Sequence, residues 1–229
     1  MKQSEDFSEI EAALGLLINL SGKMRMLSHR IAMTGLLMAA DGGERKRALE
    51  LFDAALAEFT EIAEALRSGS SRHGVSQQIV SLLAAAEAVK PEASSAIEHF
   101  VAEARGLRPL LGSGAADSMR LRELVYFVAT DLLRALNSVT EGVNRTLETQ
   151  FRLRNERAAH VRTTMLDAVR SINDVSLKVK LISLNASVEA ARAGDKGRSF
   201  GVIASEIRIL SEDAARSAQG IMEQIKLMA

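Results

Sequence analysis

The sequence predicts an all-α protein. Aromatic residues make up only 3% of its 229 residues, and it contains only 2 prolines. Between glycine-rich runs, apolar residues recur every three or four positions, which is the spacing of one buried helix face. These observations favour long helices over sheets, because strands are enriched in aromatic and β-branched residues.

Glycine-rich runs divide the chain into predicted helices. The first helix runs from about Ser4, its N-cap, to Ala40, and the second from about Glu44 to Arg67. The third covers about Val75 to Leu107, and Pro91 makes it one kinked helix or two abutting helices. The runs are residues 41–43, 68–74, 106–114 and 194–201. The inward positions predicted for the second helix are Leu49, Leu51, Ala55, Leu56, Phe59, Ile62 and Leu66.

A fourth helix is predicted from Ala115 to Ala193, where there is no proline and the only glycine is Gly142. Its length would be roughly 120 Å, so it must leave the first domain and pair elsewhere. Two apolar stripes on its distal part require a four-helix arrangement. The first stripe is Met165, Ala168, Ile172, Val175, Val179, Ile182 and Ala186, and the second is Leu177, Leu181, Leu184, Val188 and Ala191.

After a bend near Asp195 and Lys196 the same spacing resumes, so the chain folds back as a helical hairpin. Positions whose numbers sum to about 391 then face each other. One hairpin is too thin to bury both stripes, whereas two hairpins can, and the periodicity therefore predicts a homodimer. The stripe on the return helix is Phe200, Ile203, Ile207, Leu210, Ala214, Ser217 and Ile221.

Composition argues against several functions. Lys+Arg and Asp+Glu both number 29, so no basic excess indicates nucleic-acid binding. There is no cysteine, and the 4 histidines lack metal-ligand spacing, so no metal or other cofactor is expected. No nucleotide-binding or nucleophile motif appears, and we predict that the protein is not an enzyme. No segment has the ~20 apolar residues of a membrane span, and the polar N-terminus is no signal peptide, so we expect a soluble, cytoplasmic protein.

An arginine lies within a stripe of small residues on the first helix. The stripe is Ile18, Ser21, Gly22, Arg25, Ser28, His29, Ala32 and Gly35. If this stripe packs against its copy in a dimer, the two Arg25 guanidiniums converge and require a neutralising group, such as a small planar oxyanion. The alternative is that Arg25 lies at the rim of the bundle and pairs with a carboxylate.

The run Asn19 to Arg30 resembles the signature of the PilJ-type sensor domain, N-x-x-G-x-x-R-M-x-S-x-R, and every fixed position of that pattern is present. The resemblance covers about Ser4 to Gln150. It implies a four-helix domain in which Arg25 from both subunits holds one nitrate, or a similar anion, between two bundles. The ligand-binding residues that it implies are Arg25, Gly22, Ser28, Asn19 and Met26.

The run Ile182 to Ser211 is similar to the signalling tip of methyl-accepting chemotaxis proteins. In that family the tip contacts the kinase CheA and the coupling protein CheW, and joins receptor dimers into trimers. The glycines suit the tight reversal between two helices. The signalling-interface residues that this resemblance implies are Asn185, Glu189, Arg192, Gly194, Gly197, Arg198, Phe200 and Glu206.

The chain departs from the chemoreceptor pattern in two segments. Leu177 to Lys180 stand where the family has F-Q-T-N, and Ser199 replaces the usual glycine before Phe200. In addition, the return helix ends near the tip, at Ala229, so we expect no methylation in the hairpin.

We therefore predict a PilJ-like four-helix sensor domain over residues 4–156, continuing through one long helix into a short antiparallel signalling hairpin over residues 157–229. The predicted function is to sense a small anion and signal through the tip to CheA and CheW. The alternatives are a ligand-free scaffold within receptor arrays, or a decoy that binds CheW without activating CheA.

Overall fold

The structure is a computed structural model of the chain, and it describes residues 2–39, 44–114 and 118–227. Within these ranges the chain forms α-helices and no β-strand, which confirms the predicted all-α class. A π-helical turn, Val128–Leu132, joins α5 to α6, and a 3₁₀ turn, Gly194–Gly197, joins α6 to α7. The helices are α1 (Lys2–Ala39), α2 (Arg45–Ser68), α3 (Gln77–Ala85), α4 (Pro91–Ser113), α5 (Ser118–Phe127), α6 (Leu133–Arg192) and α7 (Arg198–Leu227).

The chain divides into two compact units, Met1–Leu153 and Arg154–Ala229. Helix α6 contributes residues 133–153 to the first unit and residues 154–192 to the second. No helix in the described part of the chain is both long and apolar enough to cross a membrane.

The first two helices differ from the prediction in detail. Helix α1 begins at Lys2, so Ser4 lies inside the helix and is not its N-cap. The predicted end of α1 at Ala40 and the break at residues 41–43 lie outside the described residues. On α2, Leu51 is 46% exposed, although we predicted it to face inward. The reason is that Phe52, Ala55, Phe59 and Ile62 form the buried face, and Leu51 lies beside it on the solvent side.

The predicted third helix is two helices. Pro91 is the first residue of α4, a position that tolerates proline because its missing N–H would have no partner within the helix. Before it, Glu87 has φ = 47°, which ends the helical path of α3. Helix α4 also continues past the predicted end at Leu107 to Ser113 and includes Pro109. Proline costs α4 a hydrogen bond, but Leu107 and Leu111 on either side of it are fully buried, and this burial offsets the loss.

The predicted fourth helix contains a π-helical turn, and the sequence of this turn has no proline or glycine from which it could have been predicted. Its predicted start at Ala115 lies outside the described residues, and the described part is helical from Ser118 to Arg192. Leu124, Val128, Leu132 and Leu136 are all buried although they are spaced four apart. Each such step drifts by about 40° around an α-helix, so the wider π turn returns these residues to the core side.

The first unit has one continuous apolar core. Helix α1 packs on α2, α4 and α5, and α2 also packs on α4. Between α2 and α4 the rings of Phe59 and Phe100 meet edge to face, with centroids 4.8 Å apart. The fully buried large side chains of this core include Phe52, Phe59, Phe100, Leu14, Leu17, Met24, Leu27, Ile31, Met38, Ile62, Leu107 and Leu111.

The loop between α3 and α4 lies directly against α6 at Gly142. A Cβ atom placed on Gly142 would lie 1.9 Å from the carbonyl oxygen of Ala88, which is far inside van der Waals contact. Ala88 itself is 1% exposed. Gly142 therefore allows the backbone of the α3–α4 loop to approach the helix that leads into the second unit.

In the second unit, α6 and α7 pack through a seam of mostly small residues that recurs every seven positions. The residues of this seam are Val169, Ser176, Ser183 and Ala190 on α6 and Gly197, Ala204, Ser211, Ala218 and Ile225 on α7. The buried serine hydroxyls donate to carbonyl oxygens of their own helices, so none of them is left unpaired. Sequence reasoning missed this seam because its residues are small and weakly apolar.

The apolar stripes predicted from the sequence lie outside the seam. Ile172, Leu181 and Leu210 are exposed in the single chain, as are most other large residues of the three stripes. Lys180 faces Glu212, and Gly201 faces Ala190, which agrees with the predicted register of the hairpin. One hairpin leaves its large apolar side chains uncovered, which is the condition from which we predicted a homodimer.

The bend of the hairpin lies at the predicted residues. Gly194 has φ = 58°, a left-handed conformation that glycine adopts without strain. Gly197 is buried, and a Cβ atom on it would lie 2.1 Å from the carbonyl oxygen of Ala190. The two glycines therefore allow the return helix to begin in contact with α6.

We expect Gly142→Ala to destabilise the first unit by about 2 kcal/mol, because the new methyl group forces the α3–α4 loop away from α6. The matched control is Gly106→Ala on α4, where the new Cβ would meet only Arg120 at 3.6 Å. The control should gain about 0.5–1 kcal/mol from helix propensity. Urea unfolding followed by circular dichroism measures both changes, and equal stability of the two variants would contradict the close approach.

We expect Gly197→Ala to open the end of the hairpin, because its Cβ atom has no space beside Ala190. Gly201→Ala is the control, since its Cβ atom would make an ordinary 3.7 Å contact with the Cβ atom of Ala190. Amide hydrogen exchange of residues 186–204 should accelerate at least tenfold in the first variant and stay unchanged in the second. Unchanged exchange in both variants would show that the turn does not need this glycine.

Candidate functional site

Arg25 lies on α1, beside the part of α6 that belongs to the first unit. Its Nη1 atom donates a hydrogen bond to Oδ1 of Asn137, at 2.8 Å. Both side chains are half-buried. Gly22, one turn earlier on α1, leaves space beside the guanidinium, since a Cβ atom there would lie 3.6 Å from Nη2 of Arg25. The structure therefore brings Arg25 and Gly22 together and adds Asn137, which no motif in the sequence identified.

The small residues of α1 pack inside their own bundle rather than against a second copy. The Ser21 hydroxyl lies 2.7 Å from that of Thr140 and 3.2 Å from the Leu136 carbonyl oxygen. A Cβ atom on Gly35 would lie 2.9 Å from Cδ1 of Leu121. The buried members of this stripe, Ser21, Ser28, Ala32 and Gly35, therefore do not form the dimer contact that we hypothesised. Close packing of α1 on α5 and α6 needs the small side chains within one chain.

A different face of α1 is exposed and apolar. Met26, Met33 and Leu37 are 49%, 59% and 61% exposed, respectively. Asn19 lies on the same face. Arg25 lies at the margin between this apolar face and the buried side of the helix. Of the predicted ligand residues, Asn19 and Met26 thus lie on the open face of α1, away from the buried Ser28.

Ser28 is placed differently from its predicted role. Its side chain is buried, and its hydroxyl donates to the carbonyl oxygen of Arg25, at 2.8 Å. His29 contacts the same carbonyl oxygen through Nδ1. Ser28 therefore supports the helix around Arg25 and does not present its hydroxyl to a ligand.

Arg25 has no carboxylate partner in the part of the chain that the structure describes. Among the described residues no Asp or Glu oxygen lies within ion-pair distance of its guanidinium. Within the described residues, Arg25 therefore does not form the carboxylate pair of our alternative. The neighbouring Lys23 does form such a pair, with Glu58 on α2. A half-buried guanidinium held by a neutral amide retains donors and charge for an anion.

The second candidate site is the hairpin tip, where most predicted interface residues are exposed. Glu189 and Arg192 form an ion pair of 2.9 Å within α6, and Phe200 is 69% exposed. Asn185, Gly194, Arg198 and Glu206 are also exposed. Gly197 is the exception, because it is buried against Ala190 and shapes the turn instead of presenting a contact surface.

One ion pair crosses the hairpin at the segment that departs from the chemoreceptor pattern. Nζ of Lys180 lies 2.9 Å from Oε1 of Glu212, and Arg208 lies 3.7 Å from the same oxygen. The hydrogen bond from Lys180, and then its positive charge, lower the pKa of Glu212, and Arg208 and Arg216 contribute further. The lysine in this segment therefore forms an exposed ion pair across the hairpin, in agreement with the register set by the buried seam.

Within the described residues no cluster of histidine and carboxylate side chains could hold a metal ion.

Two family models match the chain. The model described as "Methyl-accepting chemotaxis protein (MCP) signalling domain" matches residues 133–229. The model described as "Type IV pili methyl-accepting chemotaxis transducer N-term" matches residues 12–108. The first match contains the hairpin tip, and the second contains the Asn19 to Arg30 motif.

Several curated proteins similar to this chain are named as chemotaxis or aerotaxis receptors. Methyl-accepting chemotaxis protein McpC of Bacillus subtilis is 47% identical over 62 residues, which are 27% of this chain and 10% of McpC. PctB of Pseudomonas aeruginosa is 35% identical over 100 residues, which are 43% of this chain and 15% of PctB. The aerotaxis receptor of Escherichia coli is 43% identical over 58 residues, which are 25% of this chain and 12% of that receptor. The matched segments thus cover only 10 to 15% of these relatives. No solved structure matches the chain.

Both expected resemblances are confirmed, the tip by the first family model and the Arg25 motif by the second. Residues 133–229 belong to the signalling domain family of methyl-accepting chemotaxis proteins, and residues 12–108 belong to the PilJ-type N-terminal family of type IV pili chemotaxis transducers.

Proposed function

We propose that this chain is a chemoreceptor-type signal transducer whose first unit senses a small planar oxyanion, nitrate or nitrite, at Arg25. The hairpin of the second unit then passes the signal to CheA and CheW. Residues 4–156 act as the sensor and residues 157–229 as the signalling hairpin in this proposal, which assigns no catalytic step to either. A partner of CheA acts in the cytoplasm, so the proposal includes that location.

The observation that supports the sensor role is the hydrogen bond between Arg25 and Asn137. Its guanidinium bonds to the neutral amide of Asn137 and to no carboxylate of the described chain, so its charge remains available. Arginine presents a rigid, planar set of donors, which matches the geometry of a planar oxyanion. An anion bound there would also contact the Nη2 side that Gly22 leaves open.

A second copy of the chain would complete this site. The exposed face of α1 carries Met26, Met33 and Leu37 beside the exposed Arg30, and a cluster of large apolar side chains exposed in this way indicates a protein contact. Pairing of two such faces places Arg25 at the margin of the contact in both copies. One anion between two guanidiniums would remove their repulsion, so anion binding and dimerisation would strengthen each other.

The signal would reach the tip through α6. Asn137, the partner of Arg25, lies on α6, and the same helix continues to Arg192 at the tip. An anion that draws the guanidinium away from Asn137 changes how α1 holds α6. A change of this kind acts as a signal only if the two states of α6 differ in their affinity for CheA or CheW.

A decoy is the second candidate function. Lys180 lies in the segment that departs from the chemoreceptor pattern, and it is bound to Glu212 within the hairpin. A tip altered at this segment could bind CheW and fail to activate CheA. Binding and kinase activity therefore have to be measured together.

We expect nitrate or nitrite to raise the thermal unfolding temperature of the chain in chloride-free buffer. At 100 times its Kd, a ligand adds about 2.7 kcal/mol, which for a protein of this size is roughly 5–10 °C. Arg25→Ala should lose the shift. Asn137→Asp should lose it as well, because the new carboxylate neutralises Arg25 while the hydrogen bond remains.

The matched control is Arg47→Ala, which removes an exposed arginine from α2 and should keep the full shift. Isothermal titration should give one anion for two chains. An unchanged shift in the Arg25 and Asn137 variants, or no shift with any oxyanion, would contradict the sensor proposal and favour the scaffold.

We expect Glu189→Lys to weaken binding of the chain to CheW at least tenfold, since it reverses a charge at the exposed tip. Asp167→Lys is the control, because Asp167 forms the same type of ion pair, with Arg170 on the same helix. Exposed pairs contribute little to stability, so both variants should stay folded. Equal loss in both variants would contradict a role for the tip. Binding without a change in CheA autophosphorylation would identify a decoy.

A further inference from the structure

The first unit contains a cavity that lies away from Arg25. It is a cleft of about 410 Å³ between α2, α3 and α4, open to solvent on one side. This volume is within the range of small-molecule sites. Its floor is apolar and comes from all three helices and the α3–α4 loop. The floor residues are Ala63, Leu66, Val80, Leu83, Ala84, Val89, Ile97, Val101 and Ala102.

The cleft stays open because small side chains surround it. Ala63 on α2, Ala84 on α3 and Ala102 on α4 all line it, and none of them is long enough to fill the space. Folded interiors normally pack without such gaps, so an apolar cleft of this volume is a site for an apolar group.

The two ends of the cleft carry different charges. Helices α2 and α4 run antiparallel, since Asp53 pairs with Arg108 and Arg67 pairs with Glu98. Arg105 therefore lies at the end towards Thr60, and Glu98 lies seven residues away on the same face of α4, about 10 Å along the helix. Glu64 on α2 lies at the same end of the cleft as Glu98.

The end at Arg105 is purely positive. Arg105 has no hydrogen-bond or ion-pair partner among the described residues. At the other end, Arg67 lies 3.4 Å from Glu98, so this pair is neutral and the carboxylate of Glu64 adds a negative charge. A ligand that is complementary to both ends of the cleft therefore has a carboxylate at the end near Arg105 and no anionic group at the end near Glu64.

We propose that this cleft is a binding site for an apolar monocarboxylate, with the carboxylate on Arg105 and the hydrocarbon body on the alanine, valine and leucine side chains of the floor. An aliphatic chain of about eight carbons spans the distance from Arg105 to Glu98. This site is independent of Arg25 and of the oxyanion proposed there.

The test is isothermal titration of the full chain with octanoate, octanedioate and octanol. Octanoate should bind most tightly. Octanedioate should bind at least tenfold more weakly, because its second carboxylate lies at the end where Glu64 adds a negative charge to the neutral Arg67–Glu98 pair. Octanol should also bind at least tenfold more weakly, because it lacks the charge that pairs with Arg105.

Two variants distinguish the cleft from other apolar surfaces. Arg105→Gln should weaken octanoate binding tenfold to a hundredfold, whereas Arg47→Gln, at an exposed arginine outside the cleft, should leave it unchanged. Ala84→Phe should fill the cleft and abolish binding, and circular dichroism would show that both cleft variants stay folded. Arg25→Ala should bind octanoate as the unmodified chain does.

Octanoate binding that survives both Arg105→Gln and Ala84→Phe would overturn the assignment, since the ligand would then lie on another surface. Absence of octanoate binding to the unmodified chain would overturn it too. Equal affinity for octanoate and octanedioate would overturn the assigned polarity of the cleft. None of these results depends on whether nitrate binds at Arg25.

Discussion

The burial of helix α6 is the constraint on which the rest of the structure depends. This helix runs from Leu133 to Arg192 without a break, and other helices of the chain cover only one side of it. In the first unit, α1 approaches it through Ser21, and the α3–α4 loop approaches it at Gly142. In the second unit, α7 approaches it through the small-residue seam. Each contact needs a small residue, because close approach of two backbones leaves no room for a large side chain.

Because only small residues contact α6 closely, much of the apolar surface beside these contacts remains exposed to solvent. The small seam joins α7 to α6, and the large apolar residues lie beside the seam, exposed. On α1 the small residues likewise face inward, and Met26, Met33 and Leu37 face outward. In the second unit the small residues make the contacts within the hairpin and the large apolar residues stay exposed, whereas in the first unit large side chains such as Leu17 and Phe59 also form the core and only part of the large apolar residues is exposed. The proposed dimer follows from this division, since burial of apolar surface is the main favourable term in association.

The arrangement around Arg25 combines a motif with a contact that the motif does not contain. The pattern from Asn19 to Arg30 identified the arginine, because its residue types and spacing are those of a known family. Its partner Asn137 lies more than a hundred residues later, and no local signal in the sequence links the two positions. The cleft at Arg105 was not predicted for the same reason. Its charges come from two helices and its apolar lining from three, and alanine and valine side chains in a helical pattern give no sign of an open space.

The sequence by itself determined the helical class, the bend of the hairpin at Gly194 to Gly197 and the register of its two helices. These features follow from local conformational preference and from periodicity, both of which can be read along one segment. The tertiary structure alone decided which face of α1 is buried, that the α5–α6 connection contains a π turn, and that Gly142 meets Ala88. The physical reason is that side-chain size and backbone approach between distant segments set these contacts, and a helical pattern with two possible faces does not choose between them.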